Sequence, residues 1–281
     1  MTLILDGKRL RDKILSDIKN KVEKLERKPC LAVILVGSDP ASQIYVKNKQ
    51  KSAQNVGFKS ELYQLDENST SDEIKKLIED LNQNKDVDGI LLQLPLPKHL
   101  SGENFLELID PNKDVDGFHP VNVGKTLTNT SPLAISCTPK GIVRLLVENN
   151  IELEGKNVVI IGRSNIVGKP LAALLTNENA TVTLAHSKTK NLAQVAKNAD
   201  ILISATGICG LITKDFVKEG AIVIDVGISR NVQGKILGDV VFDEVSKIAS
   251  AITPVPGGVG PMTIAMLMEN TLELYFEHAK F

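Results

Sequence analysis

The sequence predicts an α/β fold of the doubly wound type, and three observations carry that reading. Continuous apolar runs at 31–36 (LAVILV), 89–92 (GILL) and 158–161 (VVII) have the character of parallel strands buried on both faces. Segments with apolar residues at helical spacing separate these runs. Several runs end in a glycine-bearing loop, at Gly37, Gly162, Gly207 and Gly227, where open α/β sheets place their ligands.

Taken in order, residues 3–5 form a short strand and Asp6-Gly7 a turn. Leu10, Ile14, Ile18, Val22 and Leu25 then share one face of a helix that Pro29 stops. Strand 31–36 leads through a loop at 37–40 into a helix over 41–56, closed by Gly57. Tyr45 and Lys49 lie four residues apart on this helix and so share a face, with Ser42 and Ser52 expected at the surface nearby. An ammonium close to a phenol can position and polarise a substrate. A helix with solvated lysines at 47, 49 and 51 is the plainer reading.

A strand at 58–65 follows. Thr70 and Glu73 form a capping box, opening a helix with Ile74, Leu77, Ile78 and Leu81 on its inner face. After the run beginning at 89, Gln93 is either a ligand group or a strand-end hydrogen-bonder. Pro95 and Pro97 fix the loop beyond, and either can be cis. Residues 105–109 read as helical. Residues 111–120 (PNKDVDGFHP) are too polar for a core element, and Asp114 with Asp116 does not complete an oxygen cage for a metal. One carboxylate gripping the N–H edge of a heterocycle is the functional reading, and an Asp- and Gly-rich turn is the alternative. A helix starts at 137–141 (CTPKG), with Thr138 as cap and Pro139 in the first position.

Residues 156–170 (KNVVIIGRSNIVGKP) set a glycine turn between a strand and a helix start. Unpaired N–H groups and partial positive charge at a helix N-terminus make such a unit a phosphate site. The spacing from Gly162 through Ser164 to Gly168 departs from G-x-G-x-x-G, so an ordinary turn stays open. The next strand, 180–185, ends about 20 residues after Gly162, where an NAD fold carries an acidic ribose contact. His186, Ser187 and Lys188 stand there instead. A hydroxyl and cations accept a 2′-phosphate that a carboxylate would repel, and Arg163 adds a guanidinium. The cofactor read from these residues is NADP. Strands at 201–204 and 221–226, a hairpin turn at 231–234 and a last amphipathic helix at 263–279 complete the pattern. Before that helix, loop 254–261 (PVPGGVGP) can bring its backbone close to a ligand.

The length of 281 residues allows one large domain or two ordinary ones. A net charge of −1 gives no reason to expect nucleic acid or an anionic membrane. The absence of Trp argues against a base-stacking platform. No apolar run approaches the ~18 residues of a membrane helix, and the N-terminus lacks a signal-peptide pattern. Cys30, Cys137 and Cys209 are odd in number and widely spaced. That pattern fits a reducing cytoplasm rather than a disulfide framework or a zinc site, and no metal is expected.

Seven segments together resemble the bifunctional methylenetetrahydrofolate dehydrogenase and methenyltetrahydrofolate cyclohydrolase family. They are DGK at 6–8, VGSDPASQIYVKNK at 36–49, GILLQLPLP at 89–97, PNKDVDGFHP, CTPKG, GRSNIVGKP and TPVPGGVGPMT at 253–263. The resemblance implies two α/β domains with the active site between them: 1–138 with 261–281 for folate and catalysis, and a Rossmann-like 139–260 for NADP. It also implies a homodimer. By resemblance Tyr45 stacks on the substrate's aminobenzoyl ring, Lys49 is the catalytic lysine, Gln93 tunes it and Asp116 holds the pterin. Gly162, Arg163, Ser164, Ser187 and Ile228 fall on cofactor positions. Pro254, Gly257 and Gly258 line the folate side. The order of motifs argues against a short-chain Ser-Tyr-Lys oxidoreductase, in which the cofactor turn precedes the tyrosine.

Overall fold

The computed structural model describes residues 2–230 and 234–279; most of the expected hairpin turn at 231–234 lies outside them. In chain order the elements are β1 (Leu3–Ile4), α1 (Gly7–Glu23), β2 (Cys30–Val36), α2 (Pro40–Asn55), β3 (Lys59–Leu65), α3 (Ser71–Gln83) and β4 (Gly89–Leu92). Next come α4 (Pro120–Thr128), α5 (Cys137–Glu148), β5 (Asn157–Ile161), α6 (Gly168–Asn177), β6 (Thr181–Ala185), α7 (Leu192–Ala196) and β7 (Ile201–Ser204). The chain closes with β8 (Ile222–Asp225), β9 (Ser229–Arg230), β10 (Ile236–Leu237), α8 (Phe242–Val245), β11 (Ala251–Ile252) and α9 (Val259–His278).

The chain divides into two compact units. The first comprises 2–12 with 136–266, and the second 13–135 with 267–279. These bounds differ from the expected 1–138 with 261–281 against 139–260. The reason is local pairing: Leu3 and Ile4 align in parallel with Ala251 and Ile252, so β1 becomes an edge strand of the larger sheet. In addition, a Cβ on Gly7 would overlap the carbonyl oxygen of Gly258, so the start of α1 packs directly on the 254–258 loop.

The first unit holds a six-stranded sheet in the order β1-β11-β8-β7-β5-β6, all parallel. Strand β5 has β6 on one side and β7 on the other, so the winding reverses between β5 and β7. Such a reversal opens a crevice at the C-terminal ends of the strands. The second unit repeats the arrangement in miniature: β3-β2-β4 are parallel, with the reversal between β2 and β4. β2 is buried at every residue because both its faces are covered. Its core joins Ile34 and Val36 to Ile74 and Ile78 of α3 and to Phe105.

Helix starts follow their caps. Thr70 and Glu73 form the reciprocal capping box of α3, and Asp39 accepts from the Ser42 N–H at the head of α2. The helix expected from Thr138 begins two residues earlier, with Ser136 in the cap position; the Ser136 hydroxyl donates instead to the Ile166 carbonyl. Ser42 is buried rather than at the surface. Residues 105–108 form a short 3-10 turn.

Candidate active site

In the second unit, α2 and the end of β4 bring two predicted side chains together. Lys49 Nζ donates to Gln93 Oε1 at 3.1 Å. Gln93 is buried, and its backbone N–H continues the ladder to the Ile34 carbonyl at 2.9 Å. Its side-chain NH2 donates to the Leu94 carbonyl at 2.5 Å. Both ends of the amide are therefore occupied, which fixes the oxygen toward the lysine. The Leu94–Pro95 peptide is cis. Tyr45, one turn before Lys49 on α2, is 46% exposed, so its ring is available for contact.

The polar loop separates its two carboxylates. Asp114 is buried and accepts from the Phe118 and His119 N–H groups and from Asn122 Nδ2, at 2.8–3.2 Å. It shapes the loop and opens α4. Asp116 is half-buried two residues on. Asn270 of α9 anchors the residue between them: its Nδ2 donates to the Val115 carbonyl at 2.8 Å and to the Ile135 carbonyl at 2.8 Å. Asn270 is fully buried, and sequence reasoning passed over it. Its signal is a polar pair, Asn270-Thr271, flanked by the apolar residues 264–268 and Leu272.

In the first unit, the nucleotide turn is built by close backbone approach. Gly162 has φ +134°, and a Cβ there would overlap the Ala205 carbonyl. A Cβ on Gly168 would overlap the Gly162 carbonyl, so α6 starts tight against β5. Ser164 Oγ accepts from the Val167 and Gly168 N–H groups at 3.2 and 3.4 Å, a cap on α6 that leaves its own proton to donate. Arg163 and Ser187 are exposed. Ser187 sits at the tip of a turn closed by Thr189 N–H to the His186 carbonyl (2.8 Å) and His186 N–H to Thr189 Oγ1 (2.9 Å). Ile228 is 48% exposed just after β8.

Loop 254–258 also belongs to this unit. Gly258 N–H bonds the Pro254 carbonyl at 2.9 Å, and Lys8 N–H bonds the Gly257 carbonyl at 3.0 Å. Gly257 has φ +114°, and the Val255–Pro256 peptide is cis. Among the described residues no group of three or more His, Cys, Asp or Glu could hold a metal ion.

Two further acids in this unit were not anticipated. Asp225, at the end of β8, accepts from the Gly227 and Asp239 N–H groups on one oxygen and from Val240 N–H on the other, each at 2.9 Å. Burial pushes its pKa up to about 6 against those hydrogen bonds, with the neighbouring Asp239 charge adding to the rise.

Comparison with known proteins assigns both units to one family. Residues 136–279 match the model of the tetrahydrofolate dehydrogenase/cyclohydrolase NAD(P)-binding domain, and 5–116 match that of its catalytic domain. The chain belongs to the tetrahydrofolate dehydrogenase/cyclohydrolase family. A family member from Streptococcus gordonii, the bifunctional protein FolD, is 57% identical over 279 residues, 98% of each chain. The Campylobacter jejuni FolD crystal structure superposes with a TM-score of 0.95 at 51% identity over 99% of each chain. The Trypanosoma brucei enzyme, solved with NADP and an inhibitor, gives 0.95 at 38% identity, covering 100% of this chain and 99% of that one.

Proposed function

We propose a division of labour between the two units of this bifunctional enzyme. It oxidises 5,10-methylenetetrahydrofolate with NADP to the methenyl compound, then hydrolyses that to 10-formyltetrahydrofolate. The single observation that carries the assignment of roles is the Lys49–Gln93 contact at a winding reversal.

The methylene carbon loses a hydride, and bound NADP supplies the acceptor. The turn suits that cofactor: Gly162 and Gly168 let strand, loop and helix start pack with no side chain between them, the start of α6 favours phosphate, and Arg163 with Ser187 offers a cation and a hydroxyl. Gly162, Arg163, Ser164, Ser187 and Ile228 would hold NADP.

Tyr45 packs its exposed ring on the aromatic part of the folate. Asp116 accepts from the N–H edge of the pterin. Pro254, Gly257 and Gly258 bring backbone to the substrate. In hydrolysis a water oxygen bonds to the methenyl carbon, the carbon–N5 bond breaks, and N5 must gain a proton. Lys49 Nζ carries the proton from the water toward N5, while Gln93 Oε1 holds the amine in place.

Two copies of the chain form a dimer in this reading, and its location is the cytoplasm. Cys30, Cys137 and Cys209 form no disulfide, and two of them are buried, which agrees with a reducing compartment. Light scattering of the purified chain tests the dimer. The functional test follows NADPH and methenyl-folate separately in one reaction. NADP reduction is expected only when methylenetetrahydrofolate is present. A protein that binds NADP and leaves it unchanged would refute the reading.

A further inference from the structure

We infer that Asp239 is a positioning residue for the cofactor, bracing the two loops that flank the nucleotide turn; this rests on the assignment of NADP to that turn. Asp239 is fully buried, and its Oδ2 gathers three donors: Ser204 Oγ (2.8 Å), Thr206 N–H (2.7 Å) and Thr206 Oγ1 (2.8 Å). Those residues end β7 and begin its loop. Between them lies Ala205, whose carbonyl is the surface that Gly162 packs against. One carboxylate thus sets the height of the strand end on the far side of the crevice from the cofactor turn.

The same carboxylate reaches the second loop. A Cβ on Gly227 would overlap Asp239 Oδ1, so the backbone just before Ile228 lies flat against the acid. Among the described residues Oδ1 has no hydrogen-bond partner, which leaves it this packing role. Gly227 N–H is itself tied to Asp225, and Asp225 accepts the N–H of Asp239. The chain of contacts from Gly162 through Ala205, Thr206, Asp239, Gly227 and Asp225 is continuous. No member but Gly162 belongs to the cofactor positions named above. A carboxylate is suited to the task because a charged acceptor roughly doubles the strength of each bond it receives.

The test is titration of NADP into the purified full chain by calorimetry, alongside methenyl-folate hydrolysis without NADP. Asp239→Ala should raise the Kd for NADP about 10- to 100-fold, the loss of one or two charge-assisted bonds. KM for methenyl-folate should stay within about twofold. Asp239→Asn keeps an oxygen for the three donors but loses the charge and buries an NH2 without an acceptor, so it should recover only part of the affinity. Thr206→Val, which removes one donor, should weaken NADP less than Asp239→Ala and should not add to it. If Asp239→Ala does not fold, these two milder variants decide. An NADP Kd within twofold of the parent in every folded variant overturns the inference. So does a methenyl-folate KM that rises in step with the NADP Kd. The failure of the functional reading is a separate event, since it would appear in the parent protein as no NADPH formed with methylenetetrahydrofolate.

Discussion

Both units open a crevice where parallel strands reverse their winding, yet they furnish it in opposite ways. The smaller sheet presents side chains: a lysine on α2 hydrogen-bonded to a glutamine after β4. The larger sheet presents backbone: glycines at 162, 168 and 227 packed so closely that a methyl group has no room at any of them. Their buried acids differ likewise. Asp88, below β2 and β4, receives two bonds from Arg27 at 2.6 and 2.8 Å, the Cys30 N–H at 2.8 Å and His278 at 3.3 Å. Among the described residues Asp225 receives only backbone N–H groups, and it has a second acid beside it. Proton transfer needs a mobile titratable group, whereas holding a phosphate-rich cofactor needs fixed donors and close approach.

Lys49→Met should break the side-chain half alone. General acid–base catalysis contributes about 10²–10⁴-fold, so methenyl-folate hydrolysis should fall by that factor while the NADP Kd holds. A stopped assay of hydrolysis with parallel NADP titration checks it. Arg163→Ala attacks the other half. Its loss should weaken NADP by about 10- to 150-fold and NAD little. An equal loss for both dinucleotides would remove Arg163 from the 2′-phosphate.

Asp116→Asn turns one acceptor into a donor against the pterin N–H edge. Folate affinity should drop about 10-fold or more with NADP affinity kept; fluorescence titration of both ligands distinguishes this from a turn-forming role.

The smallest effect concerns stability and contrasts the two acids. Asp225 has its folded pKa raised to about 6, so the native state binds its proton more tightly than the unfolded chain does. That contribution is present below the ordinary carboxylate pKa and is lost as pH rises through about 6, at most about 3 kcal/mol. Asp88 runs the other way. Burial alone would raise its pKa, but the His278, Arg27 and Cys30 bonds outweigh that and lower it. Its contribution is present above the ordinary carboxylate pKa and is lost as pH falls into the acid range. Melting curves at pH 5 and 7.5 should show a drop in Tm that Asp225→Asn lacks.

The legibility of the sequence follows the same division. Local signals sufficed for β2, whose unbroken apolar run reads as a buried strand, and for α3, whose capping pair Thr70 and Glu73 is three residues apart. Tyr45 and Lys49 were visible because one helix turn joins them. Gln93 was visible as a polar residue at a strand end, though its contact with Lys49 is tertiary. Asp239 and Asp225 were invisible because strand order, not spacing, brings Ser204, Gly227 and Asp239 together. Helix α4 was missed because it grows out of a turn-rich segment, with His119 as its cap and Pro120 first. The final helix is buried on nearly every side from Met262 to Tyr275, so no stripe marks its contacts.

The central claim is that Lys49 and Gln93 act as one proton-transfer unit, independent of the cofactor turn. A double-mutant cycle on methenyl-folate hydrolysis tests it most directly, using Lys49→Met, Gln93→Ala and the double variant, with folding checked by circular dichroism. The expected result is a double variant no slower than Lys49→Met, with the NADP Kd constant throughout. A well-folded Lys49→Met enzyme that hydrolyses at the parent rate, or single effects that simply multiply, would contradict the account.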